Sequence, residues 1–247
     1  MGLEPIPILM GLILGPIAGS FLAVALIRWP AGASVISGRS HCDGYGRPLQ
    51  TQDLVPILSY LVLRGRCRAC GSAIDPRHLA MEAAGCLVGV TAAVAHPEMV
   101  LVTAIFGWWL LLIMALDLQH HWLPDRLTLP LIPAGLAVAA FGIGPMLEDR
   151  VIGAATGYAG LAAIALLYRT ARGRDGMGGG DPKLMAALGA WLGWQSLPYL
   201  MIGAGAVGLA MILFLRRRGV AVGGSYRLPL GTLLALAAWP VWLVAGA

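Results

Sequence analysis

Six stretches of this chain carry no Asp, Glu, Lys or Arg: Ile8–Ile27, Met99–Leu116, Leu127–Leu147, Val151–Tyr168, Leu184–Leu215 and Leu228–Ala247. A water-soluble fold does not tolerate so many uncharged apolar blocks, whereas a helix crossing a bilayer needs about 20 mostly apolar residues. Composition agrees, with 12% of residues charged and 58% hydrophobic, against about 25% and about 45–50% in a soluble domain. The expected fold is an all-α polytopic membrane protein of the inner-membrane type. The first block is read as a retained helix, because only Glu4 precedes it, without a basic n-region, and no clear A-x-A cleavage site follows.

About eight transmembrane helices are expected, near 6–28, 79–96, 99–116, 127–144, 151–168, 183–195, 197–215 and 228–246. The block Leu184–Leu215 would be about 48 Å long as one helix at 1.5 Å per residue. That exceeds a hydrocarbon core of about 30 Å, so the block must fold back. Trp194 to Pro198 offers the break, since Pro disfavours helix before it.

With the N-terminus outside, loops 28–78, 117–126, 169–183 and 216–227 share one side and hold every Lys and Arg except Arg150. The positive-inside rule puts those loops in the cytoplasm and both termini outside. The net charge of +5 then reflects topology, and no nucleic-acid partner is needed to explain it. Three parts are expected: a first transmembrane helix (1–29), a small cytoplasmic cysteine-containing loop domain (30–78) between helices one and two, and a membrane core (79–247). Within the loop, Leu54–Leu63 is too short to span and is placed at the interface.

Two aspartates stand out. Asp117 closes the third expected helix and Asp181 opens the sixth, and the topology puts both at the cytoplasmic face. Asp181 before Pro182 is a favoured N-cap followed by a favoured first helical residue, which is its ordinary structural reading. Three glycines, Gly178, Gly179 and Gly180, precede it. They leave a backbone that an extended peptide can approach closely. Peptide hydrolysis by paired carboxylates needs one ionised group to activate water and one protonated group to protonate the substrate. Two close carboxylates divide these roles, because like charges resist simultaneous ionisation.

The residues Gly178-Gly179-Gly180-Asp181, followed by Lys183-Leu184, resemble the G-x-G-D motif of membrane aspartyl proteases. Asp117 with Leu123-Pro124-Asp125 resembles the first aspartate motif of one branch, the type IV prepilin peptidases. Gly19-Ser20-Phe21-Leu22, Arg39-Ser40-His41-Cys42 and the run from Leu63 to Gly71 are similar to the same family, in the same order. The resemblance implies an endopeptidase that removes the basic leader of type IV prepilins or type II secretion pseudopilins at the cytoplasmic face of the bacterial inner membrane. It also implies methylation of the new N-terminal amine with S-adenosylmethionine. Asp117 and Asp181 match the catalytic pair, and Glu82 matches a position in the helix after the cysteine loop.

Family members often carry two C-x-x-C pairs in this loop, a set suited to zinc. Here Cys67 and Cys70 form one pair, but the other reads Cys42-Asp43-Gly44-Tyr45, so zinc would need a fourth ligand such as His41. Cys86, inside a helix, is read as a small apolar filler. Ala23 and Gly179 stand where the family often has Asn and a bulky apolar residue.

The remaining polar residues have plain readings beside the functional ones. Glu82, an ionisable residue in a membrane helix, is functional by default or else ion-paired. Asp125 is expected to cap a helix, and Lys183 to orient Asp181, bind a carbonyl or mark topology. His120 and His121 lack a complete metal-ligand set and are read as interfacial anchors, and Trp108, Trp109 and Trp122 as interfacial or packing aromatics. A proton-coupled transporter using the same aspartates is the alternative from another class, opposed by the lack of any acidic residue near mid-membrane. A signal-peptide-peptidase-like protease is the alternative within the class, opposed by the Leu-Pro-Asp element. No G-x-S-G motif supports a membrane serine protease.

Overall fold

The computed structural model describes residues 5–42, 44–220, 223 and 227–245. Among these residues the regular structure is helical, joined by irregular loops, with two isolated β-bridges in the polar loop, His41 with Pro48 and Arg66 with Ala73. The helices are α1 (Pro5–Arg28), α2 (Leu58–Val62), α3 (Pro76–Ala95), α4 (Val100–His120), α5 (Asp125–Ala139), α6 (Leu147–Arg172), α7 (Gly180–Leu192), α8 (Leu197–Arg217) and α9 (Leu230–Ala245). Among the described residues, five spans are long and apolar enough to cross a membrane, namely α1, α3, α6 and the stretches Pro97–His120 and Trp194–Arg217. Large apolar side chains stand exposed along them, among them Leu9, Ile13 and Ile17 on α1, Leu167 on α6, and Ile202 and Leu209 on α8. Such a surface aggregates in water and suits lipid. The expected end of the last helix at 246 and Asp43 lie outside the described residues.

The chain divides into two compact units, Met1–Leu112 and Ile113–Ala247, with the boundary inside α4. In the first unit α1 lies on α3 through glycine. A methyl group on Gly11 would come within 2.4 Å of the Gly89 carbonyl oxygen, on Gly15 within 2.6 Å of that of Gly85, and on Gly19 within 2.3 Å of that of Met81. The backbones touch, as in small-xxx-small helix pairs of membranes. The Trp108 indole N–H donates to the Gly85 carbonyl at 2.9 Å, so this tryptophan is a packing residue. Asp75 caps α3 by accepting from the Arg77 N–H at 2.8 Å, with Pro76 at the first helical position, so the helix starts three residues earlier than 79.

The second unit is built around α7, which packs on α5, α6 and α9. Nearly every α7 residue from Asp181 to Leu192 is buried, as expected of a helix apolar on all sides. Its Trp191 donates to the Leu131 carbonyl at 2.9 Å and meets Trp242 of α9 edge-on at 5.5 Å. Gly153 and Gly189 bring the α6 and α7 backbones together. The break after α7 falls where the sequence places it, but Gly193 with φ 75 ends the helix, and Pro198 stands in the first turn of α8. Arg150, the one basic residue off the basic side, is fully buried. Its guanidinium donates to the carbonyls of Gly135 (2.6 Å), Pro145 (2.9 Å) and Ile143. It is a clamp on backbone carbonyls between α5 and α6.

Candidate active site

Asp117 lies in the last turn of α4, one turn short of the helix end at His120, and not at the terminus itself. Its carboxylate is buried and accepts at Oδ2 from the Thr232 N–H (2.7 Å) and the Thr232 hydroxyl (3.2 Å). Thr232 stands in the first turn of α9, where free N–H groups and the helix dipole favour an anion. The Thr232 hydroxyl also lies 3.1 Å from the Met114 carbonyl. His121, directly after α4, has φ 47, a backbone strain of the kind that collects at functional sites.

Asp181 is the second residue of α7, whose N-cap is Gly179. It therefore does not cap the helix as the sequence suggests. Its Oδ2 instead reaches back and accepts from the Gly178 N–H at 2.8 Å, which folds the triple glycine around the carboxylate. Asp181 is buried like Asp117, and the two are close enough to act on one another electrostatically.

Leu123 joins the pieces. A methyl group on Gly180 would come within 2.6 Å of Leu123 Cβ, and one on Gly231 within 2.9 Å of the Leu123 methyls and 3.0 Å of Asp117 Oδ2. The Leu123-Pro124 turn thus rests on a glycine from each of α7 and α9. Asp125 is the first residue of α5, with Pro124 at the N-cap, so it caps nothing. It pairs instead with Lys183, whose Nζ donates at 2.7 and 2.8 Å across the starts of α5 and α7. That pair is part-exposed and worth about 0–1 kcal/mol. Its role is to align the two helix starts.

Gly179 faces open space, with nothing within 4 Å of an added methyl. Gly179→Ala is expected to leave thermal stability in detergent unchanged, whereas Gly180→Ala displaces Leu123 and lowers stability by about 1–3 kcal/mol. Equal melting temperatures for the two variants would contradict this packing.

Sequence reasoning missed Thr232 and Gly231, because no charged or motif residue marks the start of α9. Glu82, by contrast, belongs to the first unit, where it is buried in α3 and accepts from the Ile57 N–H at 2.7 Å. The thiols of Cys42, Cys67 and Cys70 lie within 4.8 Å of one another in the polar loop. His41 is not among them and has its Nδ1 3.1 Å from the Arg39 carbonyl. Ser72 stands in the cluster, its hydroxyl 3.0 Å from Cys70 Sγ and 3.4 Å from Cys42 Sγ. Ser72, aided by a Gly44 backbone contact, holds the Cys42 thiol down to about 6, so a thiolate prevails at neutral pH. Tyr45, at the position of the absent cysteine, is exposed.

Two family descriptions match, the bacterial peptidase A24 N-terminal domain over residues 13–96 and the type IV leader peptidase family over residues 104–213. Proteins named prepilin leader peptidase/N-methyltransferase are similar over most of the chain. That of Stutzerimonas stutzeri is 35% identical over 94% of this chain and 89% of its own length. That of Burkholderia pseudomallei strain 1026b is 39% identical over 84% and 76%, and that of Aeromonas hydrophila 38% over 81% and 70%. No solved structure matches. With the two aspartates gathered in the second unit and this similarity running through both units, the chain belongs to the type IV leader peptidase family.

Proposed function

We propose that the protein is a membrane aspartyl endopeptidase that removes the basic leader of prepilins or pseudopilins at the cytoplasmic face of the bacterial inner membrane, and then N-methylates the new terminus. The observation that carries the peptidase reading is that Asp117 and Asp181 are both buried in the second unit and each is held by a backbone N–H, with Leu123 packed against the glycine beside each N–H donor or carboxylate. The ionised carboxylate takes a proton from water as its oxygen attacks the scissile carbonyl. The protonated carboxyl gives its proton to the leaving nitrogen, and the peptide C–N bond breaks.

The charge distribution supports the orientation, since the ends of α4 and the starts of α5, α7 and α9 all adjoin loops on the basic side. All eight longer helices then cross or enter the bilayer, α7 being short because protein surrounds it. A substrate with a basic leader and an apolar helix presents the junction between them to the aspartates. Gly179, open to its surroundings, leaves room for an extended backbone there. Incubating the purified protein with a prepilin in detergent tests the reading. With S-adenosylmethionine added, leader loss with a mass gain of one methyl at the new N-terminus is expected, and an intact prepilin refutes it.

S-adenosylmethionine would supply an activated methyl group for the second reaction. The thiol cluster fits zinc, because three soft sulfur donors converge within 4.8 Å of one another. Cys42, Cys67 and Cys70 would hold it. Metal analysis is expected to find about one zinc per chain, and Cys67→Ser to lower that content and open the loop to proteolysis. Metal-free protein with an intact, protease-resistant loop would show that packing alone holds it.

A further inference from the structure

The two cysteine turns of the polar loop are one turn built twice. In the first, the Cys42 N–H donates to the Arg47 carbonyl at 2.8 Å and the Gly46 N–H to the Cys42 carbonyl at 2.8 Å. In the second, the Cys67 N–H donates to the Ser72 carbonyl at 2.8 Å and the Gly71 N–H to the Cys67 carbonyl at 2.9 Å. Gly46 and Gly71 share a positive φ, 66 and 71, and each turn is closed by one β-bridge, His41 with Pro48 and Arg66 with Ala73. The repeat pairs Cys42 with Cys67 and Tyr45 with Cys70. It would put a fourth metal donor at position 45. Tyr45 is 84% exposed, however, and His41 is exposed with Nδ1 against the Arg39 carbonyl, so neither joins the thiols.

Ser72 does join them. Its Oγ lies 3.0 Å from Cys70 Sγ and 3.4 Å from Cys42 Sγ, and those two sulfurs are 3.3 Å apart. Gly44 leaves it that place, since a methyl group there would come 3.0 Å from Ser72 Oγ and 3.5 Å from Cys70 Sγ. Tetrahedral zinc, with sulfur at about 2.3 Å and oxygen at about 2.0 Å, sets S···O edges of about 3.5 Å and S···S edges of about 3.8 Å. The separations fall short of these edges by about half an ångström or less, so the donors part only slightly to admit an ion.

We propose that Ser72 Oγ is the fourth ligand of the metal, which makes the site a centre of three sulfurs and one oxygen. The proposal rests on the zinc reading of the cysteine cluster above and replaces His41 as the expected fourth donor. A serine hydroxyl binds as a neutral oxygen. Three thiolates and a divalent ion then carry a single negative charge, which a fourth thiolate would double. Oxygen is also a harder donor than sulfur and suits this metal less well. The ion is accordingly held less tightly than between two complete C-x-x-C turns, and the order of the loop answers to the zinc supply.

X-ray absorption at the zinc edge, on the full chain in detergent, counts the donors without any variant. Three sulfurs and one oxygen are expected. Four sulfurs, or the multiple-scattering signature of imidazole, overturns the serine and leaves zinc standing. Protein dialysed against zinc that retains none overturns the zinc reading together with this one. Zinc affinity, read by competition with a chromophoric chelator, then identifies the oxygen. Ser72→Ala is expected to weaken it by about tenfold or more, the lower end of what even an outer-sphere partner contributes. Ser72→Cys is expected to strengthen it and to show four sulfurs at the edge. Tyr45→Cys supplies the missing thiol at the repeat position, so in that background Ser72→Ala is expected to leave the affinity unchanged. A hydroxyl that only hydrogen-bonds the thiols would be missed equally in both backgrounds. Equal losses, or no loss from Ser72→Ala alone, overturn the ligand role.

Discussion

Asp117→Asn and Asp181→Asn are each expected to reduce leader removal by about 10³-fold or more, from the size of general acid–base contributions. The geometry makes these substitutions unusually clean. Asn at 117 still offers an oxygen to the Thr232 N–H, and Asn at 181 still offers one to the Gly178 N–H. Shape and hydrogen bonding survive, while the capacity to take or give a proton does not. Both variants should therefore insert normally and keep the wild-type melting temperature in detergent. Processing of a prepilin, followed as the fraction of leader removed against time, supplies the measurement. A well-folded variant that cuts at a rate near wild type would end the two-aspartate mechanism.

The second large effect concerns folding. Gly15→Leu is expected to prevent recovery of folded protein, because even a methyl group there would sit 2.6 Å from the Gly85 carbonyl oxygen and 2.7 Å from the Cys86 Cα. Both obstacles are backbone, so no rotamer change relieves them and the helices must separate. Overpacking a core with room to adjust costs about 1–3 kcal/mol. Forcing two backbones apart exceeds that and approaches the whole stability of an ordinary domain, about 5–15 kcal/mol. Gly205→Leu, on α8 with nothing within 4 Å, is the matched control and should behave as wild type. Protease resistance of the two proteins in membranes distinguishes them, and equal resistance would refute the close approach of α1 and α3.

The long helices were readable because uncharged blocks leave little else for the chain to do. The two aspartates were readable because each stands at the border of such a block beside turn-forming residues. Helix ends were less so. Asp75-Pro76 carries a start signal that starts α3 ahead of its apolar run, and α6 runs on through charged residues to Gly173, whose φ of 65 ends it. The spacing of Gly11, Gly15 and Gly19 against Gly85 and Gly89 is a sequence signal for helix contact that the reading of the chain passed over. Arg150 was legible only as an exception to the charge rule, since its carbonyl partners come from segments that no local pattern connects. The strain at Ile57 had no sequence signal at all, because nothing in Pro56-Ile57-Leu58 demands a positive φ.

The grip of Thr232 on Asp117 bears on the order in which the enzyme becomes competent during its synthesis. Both aspartates leave the ribosome well before α9 does, yet one of them lacks its N–H donor until Thr232 arrives. A nascent chain that stops after α8 holds both carboxylates but not the arrangement that fixes them. On the mechanism proposed above, proteolytic capacity is expected only once α9 has arrived, so that an incompletely made copy is a harmless one.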